Sequence, residues 1–232
     1  MPKLSIIIPA YNEEKTIKKV IDKVRNTKLE GISKEIIVVD DCSRDNTRGI
    51  LKSIKDKSVK VFSHRKNMGK GAAIRTGLKN STGDFILIQD ADLEYNPEEY
   101  NKLLKPMLNN EAQVVYGSRL SAIRKDQKNM YKLHYMGNLF LTMLTNLLYN
   151  AGITDMETGY KLFRKEVIKS INLKARRFDF EPEVTAKVLK KGFRIYEVPI
   201  NFVGRKFDEG KKITWRDGIM AAYYLLKYRF FD

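Results

Sequence analysis

Two aspartates, Asp90 and Asp92, are separated by one alanine and directly follow the apolar run Phe85 to Gln89. A further carboxylate, Glu94, comes two residues later. Carboxylates spaced in this way at the end of a strand can direct oxygens at one hard divalent cation, Mg²⁺ or Mn²⁺, which in turn binds a diphosphate. The same triplet is common in turns, so its position after a buried strand is what favours a metal site. Such a metal would neutralise charge on a departing nucleotide.

Three other segments place polar groups directly after predicted strands. Pro9 to Glu13 follows the first strand and includes the aromatic Tyr11, and Asp40 to Ser43 follows the second. Asn67 to Gly71 begins a helix after the third strand, where glycines and Lys70 suit a phosphate. Ordinary loop packing and helix capping are the alternative roles for these residues. Because the glycine spacing matches neither a Walker loop nor a dinucleotide fingerprint, that segment is a weak signal by itself.

The elements that position these residues alternate between strands and helices in the first half of the chain. Continuous apolar strands of this kind are typical of a parallel α/β sheet, in which ligands bind at the carboxyl ends of the strands. The predicted strands are Leu4 to Pro9, Glu35 to Asp40, Val59 to Ser63, Asp84 to Gln89, Gln113 to Tyr116 and, later, Arg194 to Val198. The predicted helices run from Asn12 to about Asn26, from Asp45 or Asn46 to about Lys55, from Asn96-Pro97 onward, from Pro182 to Lys190 and from about Thr214 to Tyr228.

A stretch from Leu133 to Thr154 contains no Asp, Glu, Lys or Arg, which raises the question of a membrane span. Polar residues that recur every four positions, Asn138, Thr142, Asn146 and Asn150, form one stripe on a helix that is otherwise apolar. This pattern predicts an amphipathic helix that packs on the sheet or dips into a membrane surface. The preceding basic segment, Arg119 to Lys132, has no periodicity and is predicted to be a mobile loop.

Length and composition limit the class of protein. A chain of 232 residues with 43% hydrophobic content predicts one domain, residues 1–232, with a sizeable core. One cysteine, Cys42, permits no intramolecular disulfide and favours the cytoplasm. The apolar run before Pro9 is short, so we expect no signal peptide there. The net charge of +16 attracts polyanions. We expect no nucleic-acid partner, because zinc-ligand spacing, recognition-motif aromatics and basic repeats are missing from the sequence.

Taken together, the motifs resemble family 2 glycosyltransferases of the GT-A fold, in particular dolichyl-phosphate mannose synthases and their bacterial and archaeal relatives. The resemblance covers nearly the whole chain, and its ordered motifs make chance agreement very unlikely. Those motifs are Pro9 to Glu13, Val38 to Ser43, Asn67 to Gly71, Asp90 to Asp92, Gly117 to Arg119, Asp155 to Lys161, Phe180 to Glu183, Glu197 to Ile200 and Arg205 through Gly210 to Ile213.

This resemblance implies a fold and a role for particular residues. The fold would be a Rossmann-like, mostly parallel sheet flanked by helices, with a nucleotide-sugar half (1–117) and an acceptor half (118–232) that ends in amphipathic helices. Asp90 would face the ribose or the donor sugar, and Asp92 and Glu94 would hold the metal, where relatives often carry glutamine at the position of Glu94. The nucleotide site would comprise Pro9, Tyr11, Glu13, Val38, Asp40, Lys70, Asp90, Ala91 and Asp92. The phosphate-binding residues would be Arg119, Arg205 and Lys211.

The implied activity is metal-dependent, inverting transfer of a hexose from GDP-mannose or UDP-glucose to a polyprenyl phosphate. The expected location is cytoplasmic and peripheral, at an anionic membrane surface, with a small membrane-anchoring subunit as a conceivable partner. Transfer to a soluble glycan or protein hydroxyl is the main alternative, and it would need a base, for which Asp155 is the candidate. A non-catalytic nucleotide or nucleic-acid binding module is a second alternative. A sugar nucleotidyltransferase is disfavoured, because no glycine-rich loop follows the first strand.

Overall fold

The computed structural model describes residues 1–120, 132–204 and 215–231, and its centre is one seven-stranded sheet. In chain order the strands are β1 (Lys3–Ala10), β2 (Ser33–Asp40), β3 (Val59–Ser63), β4 (Phe85–Ile88), β5 (Val114–Ser118), β6 (Lys161–Arg164) and β7 (Ile195–Pro199). Their order across the sheet is β3-β2-β1-β4-β6-β5-β7. Strand β6 runs antiparallel to both of its neighbours, and the other pairs are parallel.

Helices cover both faces of the sheet. They are α1 (Ile17–Asn26), α2 (Thr47–Ser53), α3 (Lys70–Asn80), α4 (Tyr100–Leu108), which follows a 3₁₀ turn at Pro97–Glu99, α5 (Lys132–Tyr149), α6 (Lys165–Lys169), α7 (Phe180–Lys190) and α8 (Trp215–Phe230). Successive side chains of β1 point to opposite faces of the sheet, as in any β-strand. Ile6 and Ile8 pack in the core with α1 and α4, whereas Ile7 packs with α3 and α7.

The register of the parallel strands brings three loop starts to one edge of the sheet. Ala10 pairs with Asp40, and Asp40 pairs with Ser63. On the other side of β1, Ile7 pairs with Ile88, and the Gln89 N–H donates to the Ile7 carbonyl at 2.9 Å. The residues that follow β1, β2 and β4 therefore lie side by side, as the sequence predicts.

Predicted elements agree with the structure except at three places. Strand β6 and the short helix α6 were not predicted. Helix α1 begins at Ile17, because Asn12 adopts a left-handed backbone with φ of 53° and accepts a hydrogen bond from the Arg44 N–H instead of capping the helix. The predicted division at residue 118 falls within β5, so both halves contribute strands to one sheet, and the functional division itself stays a prediction.

Helix α5 turns its polar stripe inward, so the predicted amphipathic helix is present but buries only part of its apolar surface. Asn138 and Thr142 are 5% and 3% exposed. Thr142 Oγ1 accepts from the Met156 N–H, and the Asn146 amide exchanges two hydrogen bonds with the backbone of Ile153. The stripe thus holds the loop between α5 and β6, while much of the helix's apolar side faces outward.

Two basic segments fall largely outside the described residues. Most of the predicted mobile loop from Arg119 to Lys132 is among them, as are Arg205 and Lys211. Within residues 1–120, 132–204 and 215–231, none of the helices combines the length and the apolar character needed to cross a bilayer.

Candidate active site

The loop after β4 carries Asp90 and Asp92 and rests on buried tyrosines. The Gln89 side chain donates to the Asp90 carbonyl at 2.9 Å. Its own amide oxygen accepts from the hydroxyls of Tyr100 at 2.6 Å and Tyr160 at 2.8 Å. Because Gln89 is fully buried and these hydroxyls come from α4 and from the residue before β6, the position of Asp90 is fixed from two directions. The sequence motif identified the aspartates but not this support.

Gly159, in the loop before β6, lies directly against Asp90. An added Cβ at Gly159 would stand 2.3 Å from Asp90 Oδ2, so a side chain there would displace the carboxylate. The Gly159 N–H also donates to the Tyr95 hydroxyl at 2.7 Å. The antiparallel strand β6 therefore brings the loop at 155–160 to the same edge as Asp90, where an α/β sheet of this kind is expected to have its ligand-binding crevice.

Lys70 joins two carboxylates in this crevice. Its Nζ lies 2.7 Å from Asp90 Oδ1 and 2.8 Å from Glu181 Oε1. Burial opposes the charge on Lys70, but Asp90 and Glu181 raise its pKa well above the ordinary value. Lys70 is therefore a fixed positive charge beside Asp90, in a position to meet an anionic donor.

The N-terminus of α3 is closed by the chain itself, which limits the predicted phosphate site. The N–H groups of Gly71 and Ala72 donate to the carbonyls of Arg177 and Arg176. A Cβ at Gly69 would stand 2.3 Å from the Arg176 carbonyl oxygen, and Gly69 has a φ of 91°. These glycines accommodate a close backbone approach, so Lys70 is left as the group that can reach a phosphate.

Arg119 and Asp155 form a buried ion pair at the end of β5. The Asp155 carboxylate accepts from Arg119 Nε and Nη2 at 2.8 Å each and from the Arg119 backbone N–H at 2.9 Å. Asn138 of α5 donates to Oδ1 at 2.7 Å. Although burial acts in the opposite direction, Arg119 holds the pKa of Asp155 below its ordinary value. Both oxygens of Asp155 are thus engaged, which disfavours the predicted base role.

The residues that are predicted to bind the nucleoside lie at the ends of β1 and β2. Asp40 is fully buried, and its carboxylate accepts from the Ser43 N–H and from Arg48 Nε at 3.0 Å each. Val38 is also fully buried, so its side chain presents no surface to a nucleotide. Tyr11 is partly exposed at this edge. These contacts make Asp40 a link between α2 and the loop after β2.

Glu13 and Ala91 connect the first loop to the loop after β4. The Thr16 hydroxyl lies 2.8 Å from Glu13 Oε2 and 2.9 Å from the Ala91 carbonyl. The Glu13 N–H donates to Thr47 Oγ1 at 2.8 Å. Pro9, the last predicted member of this group, is buried within β1. The structure therefore brings the predicted residues of β1, β2 and β4 together at one edge.

Asp92 and Glu94 supply hard oxygen donors for a divalent cation. Asp92 is 8% exposed, and its Oδ1 accepts from the Glu94 N–H at 3.1 Å in a tight turn. Within the described ranges, no cluster of three or more acidic, histidine or cysteine side chains is preassembled for a metal. The residues fit Mg²⁺ or Mn²⁺ held by one or two carboxylates, because such ions commonly take their other ligands from water and substrate phosphates.

Two glutamates in the crevice were missed as functional residues. Glu181, at the N-terminus of α7, pairs with Lys70, and Glu157 lies near it in the loop before β6. Both belong to segments that carry the sequence resemblance. The sequence does not show that these glutamates are buried, because their burial depends on how α7 and that loop pack against the sheet.

A comparison with protein families agrees with this geometry. The model described as Glycosyl transferase family 2 matches residues 5–171. The chain belongs to glycosyl transferase family 2. This glycosyltransferase is 32% identical over 240 residues to a UDP-N-acetylglucosamine--dolichyl-phosphate N-acetylglucosaminyltransferase of Methanococcus voltae, covering 95% of this chain and 94% of that one. It is also 32% identical over 213 residues to a dolichyl-phosphate beta-glucosyltransferase of Trichomonas vaginalis, covering 85% of this chain and 63% of that one.

Solved structures similar to this glycosyltransferase establish the fold. One is glucosyl-3-phosphoglycerate synthase from Mycobacterium tuberculosis with Mn²⁺, UDP and glucosyl-3-phosphoglycerate, at a TM-score of 0.75 and 22% identity, covering 98% of this chain and 80% of that one. Another is mannosyl-3-phosphoglycerate synthase from Rubrobacter xylanophilus, at a TM-score of 0.76 and 22% identity, covering 98% and 72%. The predicted GT-A architecture is confirmed.

Proposed function

We propose that this glycosyltransferase moves a hexose from a nucleotide diphosphate sugar to a polyprenyl phosphate, with its crevice held against an anionic membrane surface. The names of its relatives support a lipid phosphate acceptor, since both act on dolichyl phosphate. Their sugars differ, so the identity of the hexose is left to experiment.

The observation that carries the lipid acceptor is an outward apolar surface on α5 and α8. We call it the α5–α8 face, and it comprises Met136, Leu139, Phe140, Met143 and Leu147 of α5 with Ile219, Met220, Tyr223, Leu226 and Phe230 of α8 and the adjoining Phe231. Leu147 is 81% exposed and Phe230 is 67% exposed, whereas Leu141 and Leu225 pack together between the helices. Contiguous exposed apolar surface of this kind marks an interaction site.

Charge favours a lipid surface as the occupant of the α5–α8 face. From residue 133 to 154 the sequence has no acidic residue, and α8 has Asp217 alone. The segments before the two helices are basic in sequence, with Arg124, Lys125 and Lys128 before α5 and Arg205, Lys211 and Lys212 before α8. Apolar insertion and attraction to anionic lipids act together in interfacial helices.

Helix α5 connects this surface to the crevice. Asn138 donates to Asp155, and its oxygen accepts from the Glu157 N–H at 3.4 Å. A lipid phosphate at the edge of the bilayer would therefore enter beside the Arg119–Asp155 pair. A phosphate oxygen is already anionic and needs no general base, which agrees with an Asp155 whose oxygens are both engaged.

Within the proposed reaction, the chain's residues bind and orient the substrates. Asp92 and Glu94 would hold the cation, which would stabilise charge on the departing diphosphate. Lys70 adds a fixed positive charge next to Asp90, and Arg119, Arg205 and Lys211 would bind phosphates. Such catalysis consists of positioning and charge stabilisation.

The proposed function is tested by following radiolabelled sugar from UDP-glucose, UDP-N-acetylglucosamine and GDP-mannose, with Mg²⁺ or Mn²⁺, into polyprenyl phosphate in detergent. Label that moves into the organic phase with one donor supports the proposal and identifies the sugar. Donor consumption without a lipid product, in the presence of soluble glycans, would instead support transfer to a hydroxyl.

Charging the α5–α8 face is expected to weaken membrane binding. The variant Leu147→Glu with Phe230→Glu removes two exposed apolar side chains, each of which contributes about 1.5–3 kcal/mol when fully buried. We therefore expect at least tenfold weaker co-flotation with vesicles that contain anionic lipid. Leu108→Glu is the matched control, because Leu108 is 43% exposed but lies at the end of α4, outside this face. Equal flotation of all three proteins would refute lipid docking by this face; loss of self-association instead would indicate a second copy as the occupant.

A further inference from the structure

Glu157 is a crevice carboxylate with one oxygen, Oε1, that has no hydrogen-bond partner among the described residues. It lies two residues after Asp155 and two before Gly159, the glycine that contacts Asp90. Its side chain is partly exposed, but Oε1 is buried and receives no hydrogen bond from the described residues. Buried polar atoms are normally paired, so an exception at a substrate crevice calls for an explanation.

Three described cations act on Glu157, and each of them bonds to other partners. Lys70 bonds to Asp90 and Glu181, and Arg119 bonds to Asp155. Lys161 is 1% exposed and donates to the carbonyls of Met156 and Thr158. Oε1 of Glu157 therefore has positive charges nearby but no hydrogen-bond donor among the described residues.

The surroundings of Glu157 favour its protonated form near neutral pH. Burial raises the pKa of Glu157 to about 7, and the neighbouring Glu181 adds to the effect, against the opposing charges of Lys161, Arg119 and Lys70. The carboxyl group can thus both donate and accept a hydrogen bond within the physiological range. A group of this kind in a crevice is a candidate for substrate contact.

The position of the loop identifies the part of the substrate that Glu157 faces. Gly159 holds the loop against Asp90, and Glu157 lies near Lys70 and Glu181, which cluster with Asp90. The proposed nucleoside-binding residues lie at the ends of β1 and β2, on the other side of Asp90. We therefore expect the transferred sugar of a bound donor to lie beside Asp90, Lys70 and Glu157.

We propose that Glu157 is a specificity-determining residue whose carboxyl group hydrogen-bonds a hydroxyl of the transferred sugar. The proposal rests on the proposed function, since it takes a nucleotide sugar as the donor. The partly exposed side chain would gain, from a sugar hydroxyl, a hydrogen bond that the described residues do not give to Oε1. A site built to hydrogen-bond a hydroxyl rejects sugars that lack it.

The test compares two ligands that differ by the sugar alone. Calorimetry with Mn²⁺ measures binding of each nucleotide sugar and of the matching nucleoside diphosphate to the wild-type protein, Glu157→Met and Glu157→Gln. We expect Glu157→Met to bind the accepted nucleotide sugar at least tenfold more weakly while the nucleoside diphosphate affinity is unchanged. Glu157→Gln, which keeps a donor and an acceptor, should retain most of the sugar affinity. Glu30→Met, at an exposed acidic residue remote in sequence, is the control.

Stability gives an independent readout of the same residue. A carboxyl group whose pKa is raised from 4.5 to about 7 contributes stability that is present below pH 4.5 and is lost as pH rises through 7. Glu157→Met removes that loss. The variant should therefore have a higher Tm than the wild-type protein at pH 8 and a flatter stability profile between pH 4.5 and 7, which also verifies that it folds.

The outcomes separate this proposal from the proposed function. Unchanged nucleotide-sugar affinity in Glu157→Met would overturn the role of Glu157, and so would intact donor binding with a collapsed kcat, which would make Glu157 a base instead. Sugar-dependent loss of binding without any transfer to lipid would support Glu157 and overturn the lipid acceptor. A wild-type protein that binds none of the nucleotide sugars would overturn both.

Discussion

Replacing Asp92 by asparagine is expected to abolish sugar transfer while leaving the fold intact. Asparagine keeps the oxygen that accepts from the Glu94 N–H, so the turn is preserved, but it lacks the charge that binds a divalent cation. A catalytic metal supplies several kcal/mol of charge stabilisation, and about 1.4 kcal/mol corresponds to a tenfold change in rate. We therefore expect kcat/KM to fall about a thousandfold or more in the radiolabel assay, with Tm almost unchanged. Asp92→Ala should lose activity equally.

Two further variants test whether the loss of activity is specific to the carboxylate of Asp92. Asp22→Asn removes a carboxylate on α1 that is 41% exposed, and full activity is expected. Glu94→Gln should retain substantial activity, since glutamine keeps an oxygen that can bind the cation and Asp92 keeps the negative charge. Metal-dependent transfer that survives in Asp92→Asn would show that the cation is held elsewhere, and a large fall in Tm would show that Asp92 is structural.

The edge at which the site lies could be predicted from the sequence because it follows from topology. Parallel strands end at the same edge, so residues after β1, β2 and β4 must be neighbours whatever their side chains do. Tyr11, Asp40 and Asp90 were located in this way. Their contacts were not predictable, since the engagement of Asp40 by Arg48 depends on the packing of α2.

Strand β6 and the orientation of α5 could not be predicted for two different physical reasons. The β6 sequence begins and ends with cations, and nothing local reveals that Lys161 is buried by donating to the carbonyls of the preceding loop. A polar stripe with a four-residue period reveals that α5 is amphipathic, but it does not reveal which side faces the protein. Asn138 and Thr142 face inward because the loop before β6 offers them hydrogen bonds.

The ion pair of Arg119 and Asp155 joins residues that are far apart in the chain, and its removal tests whether the crevice wall depends on it. Asp155→Ala leaves the Arg119 guanidinium, whose side chain is 12% exposed, without a counter-charge. It also removes the acceptor of the Asn138 amide. Breaking a buried ion pair in this way costs about 3–5 kcal/mol, so urea unfolding should show a loss of that size in the free energy of unfolding.

A control variant and a double variant test whether the loss of stability comes from the Arg119–Asp155 pair itself. Asp22→Ala breaks an ion pair with Arg25 whose side chains are 41% and 45% exposed, and its expected cost is below about 1 kcal/mol. The double variant Arg119→Met with Asp155→Leu removes both charges and should cost less than Asp155→Ala alone, because no unpaired charge stays buried. If the double variant is instead destabilised by the sum of its single changes, Arg119 and Asp155 act independently. The wall of the crevice would then be held by the other hydrogen bonds of the loop before β6, such as that from the Met156 N–H to Thr142.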